Sequence, residues 1–284
     1  MIAPVMERDA ILRDEMVSQL ERTGILHDAR IAAAMRAVPR DRFLAGVPLD
    51  DAYADRAIAI KVKDGEIVSS ISQPGMIALM LELLAPAPGN RVLEIGTGSG
   101  YHAALLAELV GPLGSVTTTD LDSDLAACAC AAIGELRYSN VRVLAADGGR
   151  EIAGETPFDR VVVTARSDDI AGAWWNALRE GGRLVLPLRL EGAGECAVGF
   201  VRDGERLHSV GVHPCAFLAL RGEAAALGQS NLFYRDPARR NSPARVRRIA
   251  GVVAVRKENA MPALLDDADL VVARPMSVFA VSFS

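Results

Sequence analysis

The chain has 284 residues, half of them hydrophobic and 24% charged, which suits one large globular domain with a small appendage. The formal net charge of −5 argues against general nucleic-acid binding. No apolar run approaches the ~20 residues of a membrane helix. The opening residues are charged, without a signal-type apolar stretch, so a cytoplasmic protein off the membrane is expected.

Ile11, Leu12, Met16, Val17 and Leu20 recur at helical spacing over residues 8–23, and Gly24 can end that helix. Arg30–Val38 reads as a second helix stopped by Pro39. Residues 40–68 mix apolar groups with turns, and Lys63–Glu66 reads as an exposed loop. From there the pattern alternates. Strands are expected at Arg91–Ile95, Val116–Thr119, Val141–Ala145, Arg160–Thr164 and Arg183–Leu188, and helices at Ser99–Val110, Leu121–Leu136 and Ala171–Arg179. Such alternation implies βαβ units, and the short apolar strands suit a parallel sheet buried on both faces. Ala197–Val201 and His208–Val212, separated by Arg202–Glu205, read as an antiparallel pair closing that sheet. The fold class is therefore α/β, doubly wound and Rossmann-like, with a helical N-terminal segment.

Composition shifts after Gly222. Arg235–Arg248 holds six arginines against one aspartate, for a net +5. Strands are expected at Ala250–Arg256, Leu270–Ala273 and Val278–Phe283, and a short helix at Ala260–Leu265. This divides the chain into a main domain, 1–222, and a C-terminal accessory module, 223–284. Within the main domain, 1–78 carries the N-terminal helices and a serine-rich loop, and 79–222 the cofactor-binding core. On composition alone the arginine segment reads as a solvated, charged connector.

The chemistry-bearing residues cluster at strand ends. Arg91–Ile95 runs into Gly96-Thr97-Gly98-Ser99-Gly100, and glycines there let a ligand approach the backbone. The spacing is G-x-G-x-G, not the G-x-G-x-x-G of dinucleotide enzymes. Asp120 ends the second strand, where a carboxylate can accept from both ribose hydroxyls. Asp147-Gly148 ends the third, where an acceptor can read an adenine amino group. With Glu94, these residues point to S-adenosyl-L-methionine, with S-adenosyl-L-homocysteine as product. Cys128, Cys130, Cys196 and Cys215 lack zinc spacing and read as buried or half-buried free thiols, so no metal is expected. His102 is expected on the surface or in packing. Of Trp174 and Trp175, one is expected in the core and the other half-exposed. Ser69, Ser70 and Ser72 precede a helix starting near Pro74. They read either as a plain turn, with Ser72 as N-cap, or as substrate-facing groups.

Over about residues 9–222 the chain resembles the protein-L-isoaspartate O-methyltransferases. The resemblance rests on Met35–Phe43 (MRAVPRDRF), Ala52–Asp55 (AYAD), Ser70–Pro74 (SISQP), the glycine run, Ala146–Gly148, Pro157–Ala165 (PFDRVVVTA) and Glu180–Pro187 (EGGRLVLP). It implies that Glu94, Gly96, Gly98, Asp120, Asp147 and Gly148 hold the cofactor, with Thr97, Ser99 and Leu121 beside them. It also implies that Ser72, with Ser70, is catalytic and that Ser69, Ser70, Gln73 and Gly75 meet a peptide or protein bearing Asp or isoaspartate.

The chain departs from its relatives in four places. Ser70 replaces a usual Thr, Gly75 a usual His or Tyr, Lys63–Glu66 is inserted, and 223–284 is extra. These departures resemble members that tailor ribosomally made peptides through an aspartimide, and that resemblance implies that Arg235–Arg248 helps to grip an acidic or cyclised peptide. That reading stands beside general isoaspartate repair and beside a non-catalytic cofactor-binding protein. A monomer is expected.

Overall fold

Val92 and Leu93 are both fully buried, but in opposite directions, and this alternation repeats along each central strand. The computed structural model describes residues 3–152, 157–191, 194–226, 232–233 and 271–273. Strands β1 (Ile58–Lys63) and β2 (Glu66–Ile71) form a separate hairpin. The main sheet contains β3 (Arg91–Ile95), β4 (Ser115–Asp120), β5 (Val141–Ala145), β6 (Phe158–Val163), β7 (Leu178–Glu191), β8 (Gly194–Asp203) and β9 (Arg206–Pro214). It also takes in β10 (Leu232–Phe233) and β11 (Val271–Ala273).

The strand order is β11-β9-β8-β7-β6-β3-β4-β5, with β10 pairing β7. Pairings from β5 through β3 to β7 are parallel and the β8–β9 pair is antiparallel, as the sequence predicts; β7–β8 is antiparallel as well. The chain runs outward from β3 to β5 and then crosses to β6 on the other side of β3. That reversal opens a crevice at the carboxyl end of β3.

Among the described residues the helices are α1 (Ala3–Arg22), α2 (Ala29–Ala37), α3 (Leu49–Ala52), α4 (Pro74–Leu84), α5 (Tyr101–Val110), α6 (Ser123–Glu135) and α7 (Gly172–Ala177). Helices α1, α2, α4 and α5 pack with Val92, Val116, Val162 and Val185 on one face. Helix α7 packs with Leu93, Ile95, Val161 and Leu184 on the other. Among the described residues, no helix is long and apolar enough to cross a membrane.

Several expectations need correction. Lys63–Glu66 is the tip of the β1–β2 hairpin, not a plain loop. Asp64 (φ 52°) and Gly65 (φ 83°) form a two-residue turn with positive φ at both positions, the twist a tight hairpin favours. Ser69–Ile71 belong to β2 rather than to a turn. Trp174 and Trp175 are both 1% exposed, because both pack into the cluster with Leu93, Val161 and Leu184, where Trp174 Nε1 also donates to Gly148 O at 2.7 Å. Helix α7 is also shorter than expected, and β7 starts earlier. The β6–β7 register slips between Phe158 and Arg160, and Gly181 at φ 68° absorbs the extra residues. Cys128 and Cys130 are exposed, on the outer side of α6.

Of the accessory segment, β10 and β11 extend the main sheet, and Glu223–Ala226 form a 3₁₀ turn. The arginine segment Arg235–Arg248, the strands expected at Ala250–Arg256 and Val278–Phe283, and the helix at Ala260–Leu265 lie outside the described residues.

Candidate active site

A cleft of about 660 Å³ opens at the carboxyl ends of β3, β4 and β6, a size suited to a small-molecule cofactor. The glycine turn forms its floor. Gly96 and Thr97 both donate from their backbone nitrogens to Thr119 O, at 2.8 and 3.0 Å, which folds the turn back against β4. Gly96 has φ 99°, and a Cβ there would overlap Thr164 Oγ1. Thr164 in turn donates to Gly96 O at 2.8 Å. Glycine is therefore required at 96 both by conformation and by space.

Asp120 is 7% exposed and lines the cleft. Its Oδ2 accepts from Gly98 N at 2.8 Å and its Oδ1 from Asp122 N at 3.0 Å. Burial pushes the carboxyl above the ordinary aspartate range, and those two backbone donors partly oppose the shift. Leu121, exposed at the mouth, and Asp147-Gly148 complete this end. Asp147 accepts from Gly149 N at 2.9 Å and from Glu223 N at 2.8 Å, so it also anchors the start of the accessory segment.

Glu94 does not line this cleft. It points to the same face as Val92, is fully buried, accepts from Thr118 Oγ1 at 2.6 Å and lies 2.6 Å from His102 Nδ1. Its side chain is tied to the glycine turn through Thr118, whose hydroxyl meets Thr97 Oγ1 at 2.7 Å. Thr97 and Ser99 likewise face a smaller chamber behind the turn.

The opposite wall is the serine segment. Ser69, Ser70, Ser72 and Gln73 all line the cleft, together with Ala57, Ala59 and Ile67 of the hairpin region. Ser72 is not the N-cap of α4. Gln73 holds that position without a side-chain capping bond, and Pro74 is at N1. Asp55 instead accepts from Gly75 N at 2.7 Å and from Gln73 Nε2 at 2.9 Å. An outside carboxylate thus satisfies the helix start and leaves the Ser72 hydroxyl uncommitted to capping. Gly75 is not part of the wall. A Cβ there would meet Asp55 and Leu20, behind the loop, so its small size does not enlarge the cleft.

Arg40 holds the serine segment from the rear. It is fully buried, donates from Nε to Ala52 O and from Nη2 to Ser72 O, both at 2.9 Å, and lies 5.0 Å from the Tyr101 ring centroid. Burial lowers the guanidinium to about 10, so it stays charged at neutral pH, and burial lifts the Tyr101 hydroxyl to about 12.

Several lining residues are not among the site residues the sequence singles out. Thr119, Thr164 and Ala165 sit at strand ends facing the crevice, the last two within the Pro157–Ala165 block. Phe217, Leu218, Leu220 and Arg221 arrive from the end of the main domain, held by Arg166 N donating to Leu218 O and Leu220 N to Arg166 O, both at 2.8 Å. Cys215 also lines the cleft, its thiol pushed up to about 12 by burial. At the mouth Asp122 pairs with Arg221 at 2.7 Å and with Lys61 at 3.2 Å, which ties the hairpin, the start of α6 and the far wall together.

The cleft fits an adenosyl group on its own chemistry: an anchored carboxylate at the end of β4, an apolar Leu121 beside it, and a floor with no side chain at Gly96 or Gly98.

The family model described as protein-L-isoaspartate(D-aspartate) O-methyltransferase matches residues 12–224. The chain is 37% identical over 208 residues to the protein-L-isoaspartate O-methyltransferase of Pyrobaculum arsenaticum, covering 73% of this chain and 98% of the relative. It is 39% identical over 216 residues to that of Methanopyrus kandleri, covering 74% and 92%. A solved protein-L-isoaspartate O-methyltransferase superposes with a TM-score of 0.69 at 29% identity, over 76% of this chain and 68% of that one. A Plasmodium falciparum structure described as a putative protein of this kind in complex with S-adenosyl-L-homocysteine shares the fold, with a TM-score of 0.64 at 20% identity, over 74% and 98%.

Proposed function

This chain belongs to the protein-L-isoaspartate O-methyltransferase family, and from that premise we propose that it methylates the free carboxylate of an isoaspartyl residue in a peptide or protein. The observation that carries the proposal is the facing of two walls across one cleft: Ser69–Gln73 on one side, and the glycine turn with Asp120 on the other.

S-adenosyl-L-methionine supplies, when bound, a methyl group already activated on a sulfonium sulfur. Asp120 would accept from the ribose hydroxyls with lone pairs left free by Gly98 N and Asp122 N. Gly96 and Gly98 let the donor lie close to the backbone. A carboxylate with a reference pKa of about 3.9 is ionised at neutral pH, so the site needs no strong base. Ser72 donates to one carboxylate oxygen and leaves the other to attack the methyl carbon. With the donor bound, the new O–C bond would form as its S–C bond broke, the sulfur keeping the electron pair. The hairpin and the 214–221 wall keep bulk water from the reacting groups. The resulting ester is then open to the following backbone nitrogen, which displaces methanol and closes a succinimide.

Incubation with a generic isoaspartyl peptide and methyl-labelled cofactor tests this. Base-labile label on the peptide is expected. Cofactor binding by calorimetry with no transfer to any carboxylate would instead indicate a non-catalytic binding protein.

A narrower substrate has one observation in its favour. The hairpin turning at Lys63–Glu66 brings Ile67 and Val68 to the cleft, a wall that would suit a constrained, ribosomally made peptide. Gly75 lends this reading no support. Robust turnover of the generic isoaspartyl peptide, with none on constrained Asp-containing peptides, would remove the narrower reading and leave general repair.

A further inference from the structure

Behind the glycine turn lies a second chamber of about 40 Å³, lined among others by Ser70, Ser72, Gly98, Ser99 and His102. Ser70 and Ser72 line both this chamber and the cleft, so they form part of the partition between them. The space holds one water comfortably, since a water takes up about 30 Å³ in the liquid.

His102 gives the chamber a polarity. Its side chain is 10% exposed, and Nδ1 lies 2.6 Å from Glu94 Oε1. With Glu94 assigned as the accepting partner, Nδ1 carries the hydrogen. In the neutral ring Nε2 is then an acceptor. That atom is buried and meets no hydrogen-bond partner among the described residues. The other side of Glu94 is closed by a one-way chain, Thr97 Oγ1 to Thr118 Oγ1 at 2.7 Å and Thr118 Oγ1 to Glu94 at 2.6 Å. The direction of every bond is set by the buried carboxylate.

We propose that His102 is a positioning residue for Ser72, acting through one ordered water in this chamber. The water donates one hydrogen to His102 Nε2 and the other to Ser72 Oγ. With its oxygen accepting from behind, the Ser72 hydroxyl has its own hydrogen directed into the cleft, where the acceptor carboxylate needs a donor. Glu94, remote from the cleft, thereby sets the orientation of a hydroxyl across the partition. The proposal rests on the role given to Ser72 above, and the test separates the two.

The test is a double-mutant cycle with an isoaspartyl peptide and S-adenosyl-L-methionine. His102→Leu is expected to lower kcat about tenfold, the size of one lost hydrogen bond, while peptide KM and cofactor Kd stay within about twofold. His102→Gln, which keeps an acceptor, should recover most of that loss. In a Ser72→Ala background, His102→Leu should change kcat by less than about twofold, because the group it positions is gone. An equal loss in both backgrounds, or equal activity of the Leu and Gln variants, overturns the proposal and leaves Ser72 in place. Full activity of Ser72→Ala overturns the Ser72 reading itself. Nitrogen-15 NMR of the wild-type imidazole supplies a readout independent of variant folding. A hydrogen on Nδ1 with a hydrogen-bonded, unprotonated Nε2 is expected, and a protonated Nε2 overturns the proposal.

Discussion

The buried guanidinium of Arg40 donates to the carbonyl oxygen of Ser72 at 2.9 Å, linking the 3₁₀ turn after α2 to the serine segment of the cleft wall. The same side chain reaches Ala52 O and the Tyr101 ring, so it clamps three elements around one charge. Arg40→Lys keeps the charge but loses the planar fork. It should lower kcat about tenfold and the melting midpoint by several degrees, as expected for one or two lost charged hydrogen bonds. Cofactor affinity should hold. Steady-state kinetics, calorimetry and a thermal melt check the three parts separately.

Ser72→Ala removes the only hydrogen this segment is assigned to give the acceptor carboxylate. The expected loss in kcat is about 10- to 100-fold, with cofactor Kd changed by less than about threefold. Because Asp55, not Ser72, caps α4, stability should barely move. Unchanged turnover would remove Ser72 from the mechanism.

Asp120→Ala should weaken cofactor binding at least about tenfold in calorimetry, through loss of charge-assisted bonds. The wild type should show a matching pH dependence. Burial raises the Asp120 carboxyl, and ribose binding needs the ionised form. Affinity should therefore fall on acidification, beginning above the pH at which an ordinary aspartate titrates, near 3.9. The cofactor-free stability has the opposite sign. A folded-state value above the unfolded one stabilises the fold most below the unfolded value, and the contribution is lost as pH rises through the raised value. An affinity independent of pH across that window would count against ribose binding by Asp120.

Gly96→Ala should destabilise the protein by roughly 2–4 kcal/mol, combining a strained positive φ with an overlap on Thr164. Adding Thr164→Ala relieves the overlap but not the strain, so the double variant should recover only part of the melting midpoint. Full recovery would mean that the backbone at 96 is not strained by a side chain.

The cofactor end of this site was legible because it is written along the chain. Strand, glycine turn and helix are consecutive, and Asp120 and Asp147 recur at the ends of the next two strands. Periodicity misread places where a glycine continues an element. Gly181 looks like a breaker, yet its positive φ lets β7 run on as one strand. Asp64-Gly65 looks like a loop and is a hairpin tip. Glu94 shows how a motif residue can be identified while its side is not: strand alternation turns it away from the ligand and into a buried contact with His102.

By itself, then, the sequence determined the fold class and the kind of methyl donor, because each depends on contacts made within a strand–turn–helix unit or on residue types at strand ends. Tertiary structure alone decided which groups act together across distance. It brought Arg40 to Ser72, gave the cap of α4 to Asp55, turned Gly75 out of the cleft, and built the far wall from Cys215–Arg221. Those pairings arise when separated segments are packed against one sheet, and such packing leaves no periodic or local trace in the order of residues.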